Sequence, residues 1–563
     1  MNDLSLIIDL LRRGFQLSAH DGELRFRANK GELMSSERDR LAQSKEGIIA
    51  FLGNDRKHVR ASFAQQRIWF SNQLEPSSPT YNGSASQFHL TGELNATILE
   101  RALNIVAERH EILRTRFTSI IGQIVQVVVP HEDVVMEQFD LRELSAADRE
   151  TQLDALSTEF AKRPFDLEQG PLWRPVLIRL SDTEHFFILS MHHVVSDGWS
   201  VSVFLKELGA VYEAECAGTP HSLPNLPVQY GDYARWQAQW EGAEAWEESL
   251  RFWRQHLGDD PAILELPGDR PRPAESNHEG AAFTFELPES VVKNARQLAR
   301  DERVTFFMLM MAAFQTALHR FSGQHSFQVG TPTSGRTPET ENLVGAFINM
   351  MAIRADFKRD PSFRDVVRRV QQDLIAASEY QDTPFEELVR ELRPNRGAGV
   401  SPIFQSMLVF RQEATDQMLE FGDLKLSTPV EVSTGTSKYD LTLSAVLDGD
   451  KLSGMFEYKT EIFDESTIAR FSQYFINMLE HATEQPETPV SQLRLLGDAE
   501  QTSLMSDWQG EAVAYPETSL SDLMTDQVSR TPQAVAVSFG DESLTYAQLD
   551  VRANGLAHEL VAL

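Results

Sequence analysis

The stretch "MHHVVSDGWS" at residues 191–200 places His192 and His193 at the end of an apolar run, with Asp197, Gly198 and Trp199 close behind. A histidine in that setting can stand over a cleft and take a proton from an attacking nucleophile. Gly198 lets backbone approach a bound group closely. A free amide at a helix start can polarise a carbonyl. Together these features suit acyl transfer. The chain has no Gly-x-Ser-x-Gly elbow, and its one cysteine, Cys216, has no obvious partner histidine. The nucleophile would therefore belong to the substrate. Two plainer readings stand beside this one. His193 and Asp197, four apart, could share a helix face and begin a metal site, but zinc needs at least three protein ligands and no third is marked. Alternatively, Asp197 or Ser196 caps a helix starting near Gly198, and both histidines are satisfied core residues.

Whichever reading holds, the residues sit where "HFFILSMHH", a buried strand, meets "GWSVSVFLKELGAVYEAE", a helix. From about residue 60 to 498 helical and strand patterns alternate, which predicts an α/β (α+β) body. "ATILERALNIVAERHEILRTRF" reads as an amphipathic helix running into a strand. Later, "VTFFMLMMAAFQTALHRF" and "SFQVGTP" repeat the helix-then-strand rhythm. Prolines at 218–229 and in "LPGDRPRPAESNHEG" punctuate the middle, which suggests two related lobes, 58–232 and 233–498.

Residues 1–57 form a separate unit of helix, hairpin and helix. Phe15, Leu17 and Ala19 alternate, His20-Asp21-Gly22 supplies a turn, and Leu24, Phe26 and Ala28 alternate again; Ser35 or Ser36 would cap the second helix. This unit holds ten Lys/Arg against nine Asp/Glu, about +1, so the rest of the chain carries about −32. Residues 499–563 read as an acidic linker as far as "AVAVSFGDESLTYAQLDVRANGLAHEL", which ends in an unfinished helix and suggests a longer parent protein. The strong negative charge argues against nucleic acid or anionic membrane as a partner. The N-terminus lacks a signal-peptide pattern, no apolar run is long enough to cross a bilayer, and the single cysteine fits a reducing, cytoplasmic setting.

"MHHVVSDGWS" resembles the HHxxxDG core of condensation domains from nonribosomal peptide synthetases. Other stretches resemble the same family and follow its order: "SFAQQRIWF" (62–70), "RHEILRTRF" (109–117), "YGDYARW" (230–236), "VGAFINMMAIR" (344–354), "YQDTPFEEL" (380–388) and "GVSPIFQSMLVF" (399–410). The segment 306–336, ending in "TPTSGR", also reads like the family, so the resemblance covers about 440 residues. Residues 1–57 resemble β-hairpin docking domains, and "LTYAQLDVRANGLAHEL" (544–560) resembles the first core motif of an adenylation domain.

The resemblance implies two chloramphenicol-acetyltransferase-like lobes in a V, with the motif at the base of the cleft. An upstream donor carrier protein and a downstream acceptor peptidyl carrier protein would thread 4'-phosphopantetheine arms into one tunnel. The chain itself would bind no cofactor, hold no metal and have an adenylation domain in cis. His193 is then expected to accept a hydrogen bond from the attacking amine. Asp197 is expected to organise the site by pairing with a distant arginine, Arg336 first and Arg67 second. His192 would orient its neighbour, Trp199 would pack in the lobe, and Gly198 would border the tunnel. Asn349 would line the opposite wall. His110 is expected to be a helix-end structural residue, and Tyr230, Trp236 and Phe385 to be packing residues. In the docking unit, strand 23–28 would offer Leu24 and Phe26 on one side and Arg25 and Arg27 on the other, with Lys30 nearby. An acidic tail of the upstream protein could add to that edge.

Within the family, intact His192 and His193 argue against heterocyclisation, which uses DxxxxD. Gly198-Trp199 and a following adenylation start argue against epimerisation and cyclisation. Amide-forming condensation remains, as elongation or as a starter domain taking a fatty acyl group from acyl-CoA or an acyl carrier protein. The docking unit favours elongation. A non-catalytic recruitment platform is the alternative of a different class, and the intact motif speaks against it.

Overall fold

The computed structural model describes residues 15–20, 23–28 and 57–563, apart from 77, 84, 121–122, 241–243, 259, 274, 393–399, 413–419, 422–423, 428–429, 508–509, 511–512 and 516. The chain divides into two compact units, Met1–Leu495 and Leu496–Leu563.

Two large sheets organise the first unit. In the first, the strands run in the order Glu420–Phe421, Leu424–Leu426, Ala85–Thr91, Glu184–Met191, Trp173–Arg179 and Glu137–Asp140, and Val430–Val432 also pairs with Ala85–Thr91. In the second the order is Gly280–Leu287, Lys451–Lys459, Leu441–Asp448, Ser406–Gln412, Ser326–Thr333 and Asn349–Asp356. A smaller sheet joins Lys57–Arg60, Gln123–Val128 and Thr115–Ile120.

The expected division at 232/233 does not describe this topology. Residues 420–432 belong in sequence to the second half, yet they pair antiparallel with the first half's strand, Lys425 opposite Thr91 and Val430 opposite Gln87. Without them, Ala85–Thr91 would be an open edge with a row of unpaired backbone groups. The boundary itself falls inside a helix, Tyr230–Trp240, whose Tyr230 and Tyr233 rings pack on Phe347 at 4.9 and 4.7 Å.

The apolar helix Phe306–Ser322 crosses the second half's core. Its sequence is apolar on almost every side, and Met310, Met311, Ala313 and Phe314 are all at 0% exposure, as a helix surrounded by protein requires. Thr305 caps it by accepting from the Met308 amide.

The hairpin forms as its alternation predicts: Phe15–His20 pairs antiparallel with Glu23–Ala28, Leu17 opposite Phe26 and Ser18 opposite Arg25. Lys30, Ser35, Ser36 and the flanking helices expected in 1–57 lie outside the described residues.

The second unit is not the linker expected up to residue 534. It contains helices Asp498–Ser506 and Leu520–Arg530, the hairpin Val535–Phe539 with Glu542–Thr545, and helix Tyr546–Ala562. Ser519 and Asp522 form a reciprocal capping box at the second helix, a local start signal hidden by the acidic composition.

Candidate active site

The strand Glu184–Met191 ends where its backbone turns, and the turn is held from three directions. The His192 amide donates to the Leu172 carbonyl at 2.9 Å, and His192 bridges to Asn82. The His193 amide donates to the Tyr81 carbonyl at 2.9 Å. Val195 N–H returns to the His192 carbonyl at 3.0 Å, closing the turn. Gln65, fully buried at the start of helix Phe63–Leu74, donates through Nε2 to the Val194 carbonyl at 3.1 Å. Each of these bonds fixes one backbone group that burial would otherwise leave unsatisfied.

Asp197 ends the turn and caps the helix Gly198–Ala217. The helix starts after both residues, so His193 and Asp197 share no helix face and the i,i+4 metal geometry does not arise. The Asp197 carboxylate is enclosed. Oδ1 accepts from Ser200 N–H at 2.8 Å, the Ser200 hydroxyl at 2.7 Å and Arg336 Nη2 at 2.8 Å, and Oδ2 accepts from Phe347 N–H at 3.1 Å. Both partners of the ion pair are buried, with side-chain exposures of 3% for Arg336 and 4% for Asp197. The other terminal nitrogen of Arg336 is also committed, while its buried Nε has no hydrogen-bond partner among the described residues. Nη1 donates to the Thr340 and Leu343 carbonyls at 2.9 and 2.7 Å, and the guanidinium lies over Phe347 at 4.2 Å. A buried carboxylate held by four protein donors is engaged with the protein rather than with the cleft; it organises the junction of strand, helix and the loop 336–347.

The histidines differ from it and from each other. His192 is 1% exposed, stands edge-on to Phe165 at 5.8 Å, and accepts through Nδ1 from Val194 N–H at 3.2 Å. Burial, aided by Lys438 and Arg174, lowers its pKa to about 3, so it is a neutral core residue. His193 is half-buried and keeps some access to the cleft. Burial chiefly, then Lys438, His192 and Arg67, hold its pKa well below the usual imidazole value, against a hydrogen bond with the Ser196 backbone. A neutral imidazole with partial access can accept a proton, which an imidazolium cannot.

The 79–83 loop forms the other wall. The Tyr81 ring stands edge-on to His193 at 6.4 Å. At Gly83 an added Cβ would lie 2.3 Å from the Met191 carbonyl and 3.5 Å from His193 Nδ1, so only glycine fits there without displacing the turn. At Gly198 an added Cβ meets nothing within 4 Å, and the φ angle is not one that requires glycine. Packing of this chain therefore does not account for the glycine at 198.

Several expected placements are corrected. Arg67 does not reach Asp197; its Nη1 pairs with Glu386 at 3.0 Å. Trp199 is not packed in the lobe: it is 53% exposed and held by one bond, from Nε1 to the Glu341 carbonyl at 2.9 Å. It occupies the first turn of the helix on the side away from the core. Trp236 is likewise 50% exposed and lines a slot with Phe63, Tyr233, Phe347, Asn349 and Glu386. Asn349 borders that slot, but its amide is engaged with the backbone, donating to Gln381 and Thr383 carbonyls at 2.7 and 2.6 Å and accepting from Phe385 N–H at 3.1 Å. His110 ends the helix Ala96–Arg109 and pairs through Nε2 with Glu207 at 2.8 Å. Tyr230 is buried, donating to the Ala346 carbonyl at 2.7 Å, and Phe385 is buried beside Phe404. Cys216 is exposed. Backbone placement alone is described for Leu24, Arg25, Phe26 and Arg27.

Sequence reading missed Gln65, Tyr81, Gly83 and Lys438. Gln65 lies inside "SFAQQRIWF", two residues before the more conspicuous Arg67. Tyr81 and Gly83 belong to a loop without periodicity, and only the fold brings Lys438 to the site. Among the described residues no helix is long and apolar enough to cross a membrane.

Known proteins share both the sequence and the fold of this chain. The family described as "Condensation domain" matches residues 55–505, and the "TubC N-terminal docking domain" matches residues 4–54. A linear gramicidin synthase of Brevibacillus parabrevis is 40% identical over 510 residues, covering 90% of this chain and 6% of that protein. The chain spans about a tenth or less of the length of such relatives. Among solved structures, the X-domain from teicoplanin biosynthesis aligns with TM-score 0.70 at 26% identity, covering 78% of this chain and 97% of that one. A four-domain nonribosomal peptide synthetase bound to AMP and glycine aligns with TM-score 0.74 at 24% identity, over 92% of this chain and 40% of that one.

Proposed function

The chain belongs to the condensation-domain family of nonribosomal peptide synthetases and carries a TubC-type docking domain ahead of it, and from that premise we propose that it joins a carrier-bound donor acyl or peptidyl chain to the amine of a carrier-bound aminoacyl thioester. Condensation domains are acyltransferases that form amide bonds. The finer assignment here is elongation, with donor and acceptor each presented on a 4'-phosphopantetheine arm of a partner carrier protein. The docking-domain match supports an upstream protein partner, and the single cysteine suits work in the cytoplasm.

The single observation that carries the reading is the contrast between His193 and Asp197. One is neutral and partly accessible; the other is sealed, paired with Arg336 and held by four protein donors. The acceptor's α-amine has a pKa of about 8, so near neutral pH a useful fraction is unprotonated. Its nitrogen attacks the thioester carbonyl, and the C–N bond forms. As positive charge develops on nitrogen, His193 accepts its proton. The tetrahedral centre collapses, the C–S bond breaks, and the proton passes to the departing thiolate. Alignment of two tethered reactants can supply roughly 7–11 kcal/mol of the barrier reduction, so the histidine's own share is smaller. Open space at Gly198, at the start of the helix, supports the reading that an arm passes there.

The test supplies the chain with a donor-loaded carrier or an acyl-CoA, and with an aminoacyl carrier. Amide formed from the loaded carrier supports elongation. Amide formed only from acyl-CoA assigns a starter role. No amide from either leaves a recruitment platform.

A further inference from the structure

Lys438 belongs to no stretch singled out by its sequence, yet the fold brings it to the reacting side of the site. It follows the 420–432 segment that crosses to the first half's sheet, and the chain then returns through Lys438 and Tyr439 into the strand Leu441–Asp448. The Lys438 ammonium lies 4.5 Å from the centroid of the Tyr81 ring. Tyr81 is the residue whose carbonyl holds the His193 amide and whose ring stands 6.4 Å from the imidazole. Lys438, Tyr81 and His193 thus form one cluster, in which the Tyr81 ring contacts both the cation and the imidazole. A cation over an aromatic face is stabilised there without a counter-ion.

The two lysine and arginine cations that act on His193, Lys438 and Arg67, differ in how their charge is matched. Arg67 also faces the histidine, but its charge is matched by Glu386 at 3.0 Å. Among the described residues no carboxylate lies within ion-pairing distance of Lys438; Glu457 acts on it from farther away, and Arg67 opposes its charge. His192 is neutral, and Tyr81, Tyr439 and Arg174 are further titratable groups that face this cluster. The Asp197 carboxylate is matched by Arg336.

We propose that Lys438 is a positioning residue of the condensation site: its ammonium, seated on Tyr81, keeps His193 unprotonated and ready to accept the proton of the incoming amine. The proposal rests on the condensation reading for its consequence, but the electrostatic coupling stands apart from it. Lys438 is also the largest charged influence on His193, second only to burial. It remains a cation under neutral conditions, because burial lowers its own pKa only to about 8. The two distances to the Tyr81 ring, 4.5 and 6.4 Å, bound the separation of ammonium and imidazole at no more than about 11 Å. At that separation and an effective dielectric of about 20, loss of the cation changes the protonation equilibrium of His193 by about tenfold or more.

The experiment measures two things on the intact chain. His193 titration is followed by NMR with labelled histidine, assigned through His193→Gln. The pH dependence of kcat/KM is followed with a donor thioester and an aminoacyl acceptor. Lys438→Met moves the His193 midpoint upward by about one pH unit, and the acid limb of kcat/KM moves up with it. Lys438→Arg keeps both near their wild-type positions, and Lys438→Gln repeats the Met result with a polar side chain should Met disturb folding. An unmoved His193 midpoint in both neutral variants, or an Arg variant that behaves like them, overturns the proposal. A midpoint that moves while the rate profile stays fixed upholds the coupling and instead refutes His193 as the proton acceptor.

Discussion

Asp197 offers the clearest separation of organisation from chemistry. Asp197→Ala removes four hydrogen bonds at once and leaves Arg336, 3% exposed, with a buried charge facing the gap. Breaking a buried pair from one side costs roughly 3–5 kcal/mol, most of it from the stranded partner. Removing both charges, as in Asp197→Ala with Arg336→Met, no longer strands a charge, so the double variant should be less destabilised than the sum of the singles by at least about 2 kcal/mol. Urea unfolding followed by tryptophan fluorescence measures each stability, and turnover is measured on whatever folds. The expected result is a large loss of stability in both singles, clear coupling in the cycle, and turnover that tracks the folded fraction. An Asp197→Ala protein that loses less than about 1 kcal/mol and yet has no turnover would refute the organising role and require direct participation in the reaction.

Three further outcomes follow from the same geometry. Gly83→Ala should lose both stability and turnover, because its Cβ would press on the Met191 carbonyl at 2.3 Å beside His193; melting and a condensation assay check it. Gly198→Ala should keep or slightly raise the melting temperature, since no protein atom lies within 4 Å and alanine favours a helix, while turnover falls if the space serves a substrate arm; equal turnover would remove Gly198 from the site. Stability should decline as pH falls below about 6.5, because His192 binds a proton in the unfolded chain but, with a folded pKa of about 3, not in the native one. The slope from that group is about 1.4 kcal/mol per pH unit until its folded pKa is reached, and it disappears in His192→Asn.

Much of this site was legible because the motif lies at a junction whose two elements have strong local signals. The apolar run before His192 ends at Met191, and Asp197 is a good helix cap, so sequence alone places both histidines between strand and helix. The pairing of Asp197 with Arg336 was nameable only through family resemblance, since nothing local links residues 139 apart. Local pattern misled at Trp199 and Trp236, where aromatic character suggests burial but the helix turns each to solvent. Strands of two or three residues such as Glu420–Phe421 and Leu424–Leu426 carry too few positions for alternation to register, so the crossover to the first sheet was invisible. Lys438 and Tyr81 share that origin: long-range topology, not spacing, brings them to His193.

Everything functional turns on His193 acting as the proton acceptor for an incoming amine. Its most direct test is a single-turnover condensation with donor and acceptor both loaded, comparing wild type with His193→Ala at matched melting temperature. Amide formation at least about a hundredfold slower in the variant is the expected result. Equal single-turnover rates would contradict it.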